Sequence, residues 1–250
     1  MLNQQTLSKL RSMNLGAMAE AFEAQMGQPD LVSLGFEERL GLLVDHEWSC
    51  RQDQRLRRLL SDARLRLQAC IEDVDYSQPR GLDKHLLQSL ANCDWIRDHL
   101  NLVIHGPTGC GKTFLSCALA NAACRRSFSV RYYRIPRLLS EIAMARGDGT
   151  YPRLIGRLAR YGLLVLDDWL LSPLTVVESR EMLEVIDDRS QNSSTLLASQ
   201  LPPDHWHTAI GDPSVADAIL DRLLHSAHMI HLKGESMRKV KSNLKLNATQ

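Results

Sequence analysis

The sequence predicts an α/β protein: a parallel sheet flanked by helices around a phosphate-binding loop, preceded by a small all-helical domain. Three observations carry this. Short apolar runs at residues 102–104, 130–135, 163–166, 195–198 and 229–232 are each separated from the next by at least one helical stretch, the pattern of parallel strands joined by crossover helices. The string Gly106-Pro107-Thr108-Gly109-Cys110-Gly111-Lys112-Thr113 follows the first run and leads into an Ala/Leu/Cys-rich helix. Residues 1–72 show helical periodicity only.

In chain order, Leu7, Leu10, Ala17, Ala21, Phe22 and Met26 recur mostly at three- and four-residue steps, which predicts one amphipathic helix broken by Gly27, Pro29 and Asp30. A second helical stretch starts near Phe36, with Leu40, Leu43, Val44, Trp48, Leu56, Leu59, Leu60, Ala63 and Leu67 on one face. Ser77, Gln78 and Pro79 mark a linker at 73–80, between the helical domain (1–72) and the phosphate-loop domain (81–232). A basic tail, 233–250, closes the chain.

Composition narrows the function classes. The chain has 250 residues, 44% of them hydrophobic, enough for a packed core. No run approaches the roughly 18 apolar residues of a membrane span, and the first residues lack a signal-peptide apolar region, so a cytoplasmic protein without membrane contact is expected. The six cysteines form no C-x-x-C pair, and Cys110, Cys117 and Cys124 recur at seven-residue spacing as small buried side chains. His205, His207, His225, His228 and His231 lack the partners of a zinc site. Trp169 and Trp206 read as packing residues, and Glu178, Glu181 and Glu184 as a solvated helix face.

The net charge of +1 hides local asymmetry. Between residues 51 and 70 six arginines face two aspartates, Asp53 and Asp62. A buried Leu56/Leu59/Leu60/Ala63/Leu67 face sends Arg51, Arg55 and Arg58, with Arg57 and Arg64 on an adjoining strip, towards solvent. Helix geometry alone fits a solvated charge face as well as a DNA-binding one; with so few acidic partners and no base-reading motif, these arginines are expected to contact phosphates of double-stranded DNA with little sequence preference.

The strongest chemical signal is the loop from Gly106 to Thr113. Phosphates need closely approaching backbone N–H donors, a helix N-terminus and a cation, and G-x-x-x-x-G-K-T supplies all three. Lys112 is placed to reach the β- and γ-phosphates of ATP, and the Thr113 hydroxyl to ligate Mg²⁺. Asp167 and Asp168 end the apolar strand that begins at Leu163, about 55 residues after Lys112. Asp167 is expected to hold Mg²⁺, and Asp168 to orient or activate the attacking water. This order suits an ATPase with a catalytic acid better than a small kinase.

Several strings together resemble one family. They are Phe36-Glu37-Glu38-Arg39-Leu40 leading to Glu47-Trp48, the phosphate loop, Leu166-Asp167-Asp168-Trp169, Ser199-Gln200-Leu201-Pro202, Asp217-Ala218-Ile219-Leu220-Asp221-Arg222-Leu223, and Leu232-Lys233-Gly234-Glu235-Ser236-Met237-Arg238-Lys239. The chain resembles, over about residues 7–239, the IstB family of AAA+ ATP-binding helpers of insertion-sequence transposition, related to the DnaC helicase loaders. The resemblance implies an AAA+ core and an ATP-assembled homo-oligomer. It also implies a protein that binds DNA, prepares the target and recruits or activates its cognate transposase. By the same resemblance Gln200, or less favourably Ser199, is the sensor of the hydrolytic water, and Arg222 is an arginine finger for a neighbour's ATP. Arg238 would meet nucleotide or DNA. The alternative it leaves is a replicative helicase loader. Leu170 stands where the family usually has Gly, and Asp168 where most AAA+ ATPases have Glu; Asp is one methylene shorter, which implies slow turnover.

Overall fold

The computed structural model describes residues 2–28, 34–234 and 236–237. Backbone contacts divide the chain into two compact units, Met1–Arg58 and Leu59–Gln250. The division falls inside a helix, earlier than the expected linker.

The first unit is helical. Its elements are α1 (Leu2–Ser12), α2 (Gly16–Met26) and the greater part of α3 (Phe36–Ala63). The single helix expected over residues 7–26 is therefore two. Asn14 takes the left-handed conformation, φ 59, and the Leu15 N–H turns back to the Leu10 carbonyl at 2.9 Å, a helix-ending arrangement open to Asn at low cost. No side chain of the Leu15 cap serves the start of α2; instead buried Glu47 of α3 accepts the Met18 N–H at 2.8 Å. Arg51 holds that carboxylate at 2.6 Å and, with this N–H, keeps it below its ordinary pKa. Phe36, Leu40, Val44 and Trp48, four residues apart along α3, are all exposed.

The second unit is an α/β layer structure. Its elements are α4 (Lys84–Ala91), α5 (Asp94–Arg97), β1 (Asn101–His105), α6 (Lys112–Arg125), β2 (Val130–Arg134), α7 (Ile135–Asp148) and α8 (Tyr151–Ala159), followed by β3 (Leu163–Trp169), α9 (Val176–Arg189), β4 (Ser194–Ser199), α10 (Trp206–Ala209), α11 (Pro213–Leu224) and β5 (Ala227–His231). All five strands pair in parallel in the order β2-β3-β4-β1-β5. Each predicted strand is present. Both faces of the inner strands are covered, which is why they read as continuous apolar runs rather than alternating ones. Val103, Tyr133, Leu164, Leu166 and Leu197 join a core with α7, α8, α9 and α11, while α6 packs along β1 to β4. Cys117, Ala118, Ala120, Ala123 and Cys124 are buried small residues that let α6 come close to its neighbours, and the cysteines are reduced.

Some further details differ from expectation, and one agrees with it. Leu67 lies beyond the end of α3, because Arg64 adopts φ 49, and it is 40% exposed. Glu181 is buried against Arg146 (2.8 Å) rather than solvated, and Glu178 forms a capping box with Thr175. Trp169 and Trp206 pack edge to face, 5.9 Å apart, as anticipated.

Candidate nucleotide site

The loop leaves β1 at its C-terminal end and enters α6, so the first N–H groups of the helix face the same space as the loop. Glycine is required at both ends of it. Gly106 has φ 151, and a Cβ there would fall 2.2 Å from the Leu232 carbonyl oxygen. Gly111 has φ 102 and would meet the Arg80 guanidinium at 2.6 Å. Lys112, the first residue of α6, folds back over the loop and donates to the carbonyls of Gly106 (2.7 Å) and Pro107 (2.9 Å). Buried Arg80 braces the loop from behind, donating to the Cys110 carbonyl at 3.2 Å and the Asp75 carbonyl at 2.6 Å.

The acids arrive from β3, which pairs with β4 on one side and β2 on the other. Asp167 is 1% exposed, and its Oδ2 accepts the Thr113 hydroxyl at 2.8 Å and the Tyr132 hydroxyl at 2.5 Å. Burial, and then the hydrogen bond to Asp167, push the Tyr132 phenol far above its usual range, so it stays a donor. Asp168 occupies a bulge between Asp167 and Trp169 with φ 57, and Arg134 holds its carboxylate at 2.7 Å. That contact raises the Arg134 pKa further. Leu170, two residues on, has φ 51 while buried. A bulky residue is strained in that conformation.

Gln200, just past β4, accepts the Thr108 hydroxyl at 2.6 Å. Ser199 is buried and turns inward, donating to the Trp169 carbonyl at 2.9 Å and accepting the Leu201 N–H at 3.0 Å. Gln200 is thus the one of the two that lines the cavity. That cavity, about 450 Å³, also takes in Thr108, Gly109, Gly111, Lys112, Thr113, Asp167 and Asp168. Arg66, Arg80, Tyr132 and Arg134, which line the cavity or support its wall, are among the residues not singled out in the sequence. Tyr132 and Arg134 lie two apart on β2, on one side of the strand, and the register sets Arg134 opposite Asp167. Polar side chains in a strand of an otherwise apolar sheet were the available signal.

Arg222 lies elsewhere. Its guanidinium pairs with Asp187 at 2.5 Å and the Ala218 carbonyl at 3.0 Å. Its own carbonyl receives Asn101, the first residue of β1, at 3.0 Å. It is therefore at the end of the sheet opposite the phosphate loop, outside this chain's own cavity. A hollow of about 530 Å³ beside it lacks any phosphate cradle. Of the basic set, Arg55, Arg57, Arg58 and Arg64 are exposed. Arg51 is exposed too, but its guanidinium is engaged by Glu47 and the Asn14 carbonyl (2.7 Å). Arg238 and most of the basic tail lie outside the described residues.

Comparison with known proteins agrees with this geometry. A protein of Sinorhizobium fredii (strain NBRC 101917 / NGR234), named for ATP binding in an insertion sequence, is 49% identical over 239 residues, 96% of this chain and 98% of that protein. A similarly named protein of Mycobacterium tuberculosis is 32% identical over 92% of each chain. Among solved structures, DnaI superposes with a TM-score of 0.58 at 21% identity, covering 70% of this chain and 93% of that one. The DnaC helicase loader does so with 0.54 at 14% identity, covering 66% and 97%. These two likenesses establish the fold of the core, a parallel sheet flanked by helices. Among the described residues no helix is long and apolar enough to cross a membrane. Since the model of the family described as IstB-like ATP binding protein matches residues 8–245, with the phosphate loop, acid pair and sheet order all in place, the chain belongs to that family.

Proposed function

We propose that this chain is a DNA-binding ATPase that assembles into oligomers with ATP, prepares target DNA and recruits or activates a transposase. The observation that carries the reading is the meeting of Lys112, Thr113, Asp167 and Asp168 in one cavity at the C-terminal edge of the sheet. Thr113 Oγ1 and Asp167 Oδ2, 2.8 Å apart, are the hard oxygen donors that Mg²⁺ prefers. When bound there, Mg²⁺ supplies charge neutralisation for the β- and γ-phosphates. Lys112 exchanges its two loop carbonyls for phosphate oxygens, and the loop N–H groups bind the remainder. Asp168 orients the attacking water and takes its proton, while Gln200 holds that water on its other side. Arg222, remote from its own cavity, serves the ATP of a neighbouring subunit.

The names of the relatives supply the insertion-sequence context, which favours transposition over helicase loading. Exposed Arg55, Arg57, Arg58 and Arg64 supply the DNA-facing charge, and the exposed Phe36/Leu40/Val44/Trp48 stripe offers a protein partner an apolar contact. Duplex binding across a salt series tests the DNA arm. Replacing Arg55 and Arg58 together with Ala weakens binding to unrelated duplexes about equally, and lowers the magnitude of the salt slope by about two. ATP affinity is unchanged, since both arginines belong to the first compact unit. Normal DNA affinity with an unaltered slope would make this face merely solvated and shift the role to the 233–250 tail.

A further inference from the structure

We infer that Arg66 is a γ-phosphate contact supplied in cis, making the site selective for triphosphate over diphosphate; this rests on the ATP-site reading above. Arg66 follows α3 by three residues and lines the same cavity as Lys112, Thr113 and Asp167. Leu67, the next residue, lines that cavity as well, so the segment following α3 forms part of its wall.

Its guanidinium, by contrast, makes no short ion pair. Nη1 stands 3.9 Å from Asp167 Oδ2, an ion-pair distance beyond hydrogen bonding, and the side chain is 41% exposed. That same oxygen already accepts Thr113 and Tyr132 at shorter range. The other cations of the cavity wall are more tightly engaged: Arg134 by Asp168 at 2.7 Å, and Arg80 behind the loop. A divalent cation shared by Thr113 and Asp167 would repel Arg66 from its present partner and leave its guanidinium to pair with nucleotide phosphate, the γ-phosphate in this proposal. Arginine suits that exchange, because its planar fork binds phosphate oxygens in pairs. ADP offers no oxygen at that position, so the contact distinguishes the two nucleotides rather than strengthening both.

The test is equilibrium binding of Mg²⁺ with ADP, and with a non-hydrolysable ATP analogue, to the full-length protein. Arg66→Ala weakens the analogue about tenfold and changes ADP affinity by less than about twofold, and Arg66→Lys recovers part of the loss. An equal loss for both nucleotides would assign Arg66 a structural role, and no loss for either would remove it from the site; each outcome overturns the inference. Lys112→Ala, measured alongside, loses both nucleotides. If it binds both normally, the ATP-site reading fails and this inference with it.

Discussion

Lys112→Ala abolishes measurable ATP binding. Its ammonium is the cation of the loop itself, carried on the first residue of α6 and folded over the Gly106 and Pro107 carbonyls. A triphosphate brings several negative charges into a pocket walled by buried side chains, where each uncompensated charge costs more than it would in water. Charge-assisted bonds to phosphate are among the stronger protein contacts, so losing one from the centre of the cradle is expected to cost more than about a hundredfold in affinity. The fold should survive, because α6 keeps its buried face of Leu115, Ala118, Leu119 and Ala123. Calorimetric titration checks the effect, with thermal unfolding as the control for folding. Unchanged affinity in a folded variant would refute the assignment of the site.

Asp168→Asn separates binding from hydrolysis. Asn is tolerated at φ 57 better than most residues, so the bulge that presents the side chain persists. Asp167, Thr113 and Lys112 are untouched, and ATP with Mg²⁺ still binds. What disappears is the carboxylate proposed to accept a proton from the attacking water, and turnover is expected to fall by about 10²- to 10³-fold. Arg134 loses its charged partner at the same time, a smaller effect for a side chain 47% exposed. Single-turnover phosphate release, set beside the binding isotherm, reads the two effects separately. Loss of binding in Asp168→Asn together with normal turnover in Asp167→Asn would mean that the two carboxylates have exchanged roles.

These expectations rest on parts of the molecule that are local in sequence. A phosphate loop is eight consecutive residues, and a strand buried on both faces is a run of Leu, Val and Ile, so residues 163–166 and the acids behind them could be read directly. The features that escaped are those the chain makes by meeting itself. Tyr132 and Arg134 become site residues only because β2 pairs with β3 in a register that sets Arg134 beside Asp167. Arg66 counted as one more charge of a basic run until the end of α3 at Ala63 brought its segment to the wall of the phosphate cavity. The split between α1 and α2 depends on one left-handed Asn, too small a signal to override an unbroken apolar period. Glu181 followed the same logic in reverse, since the arginine that buries it is 35 residues away.

In the proposed function each ATP lies between two subunits, with Lys112 and Asp168 from one and Arg222 from the next. Phosphate release at increasing protein concentration, with duplex DNA present, tests this most directly, and a mixture of Lys112→Ala with Arg222→Ala subunits sharpens it. Turnover should rise more steeply than linearly, each variant alone should be inactive, and the mixture should regain activity because some interfaces combine an intact cavity with an intact arginine. Turnover strictly proportional to concentration, with no recovery on mixing, would contradict it.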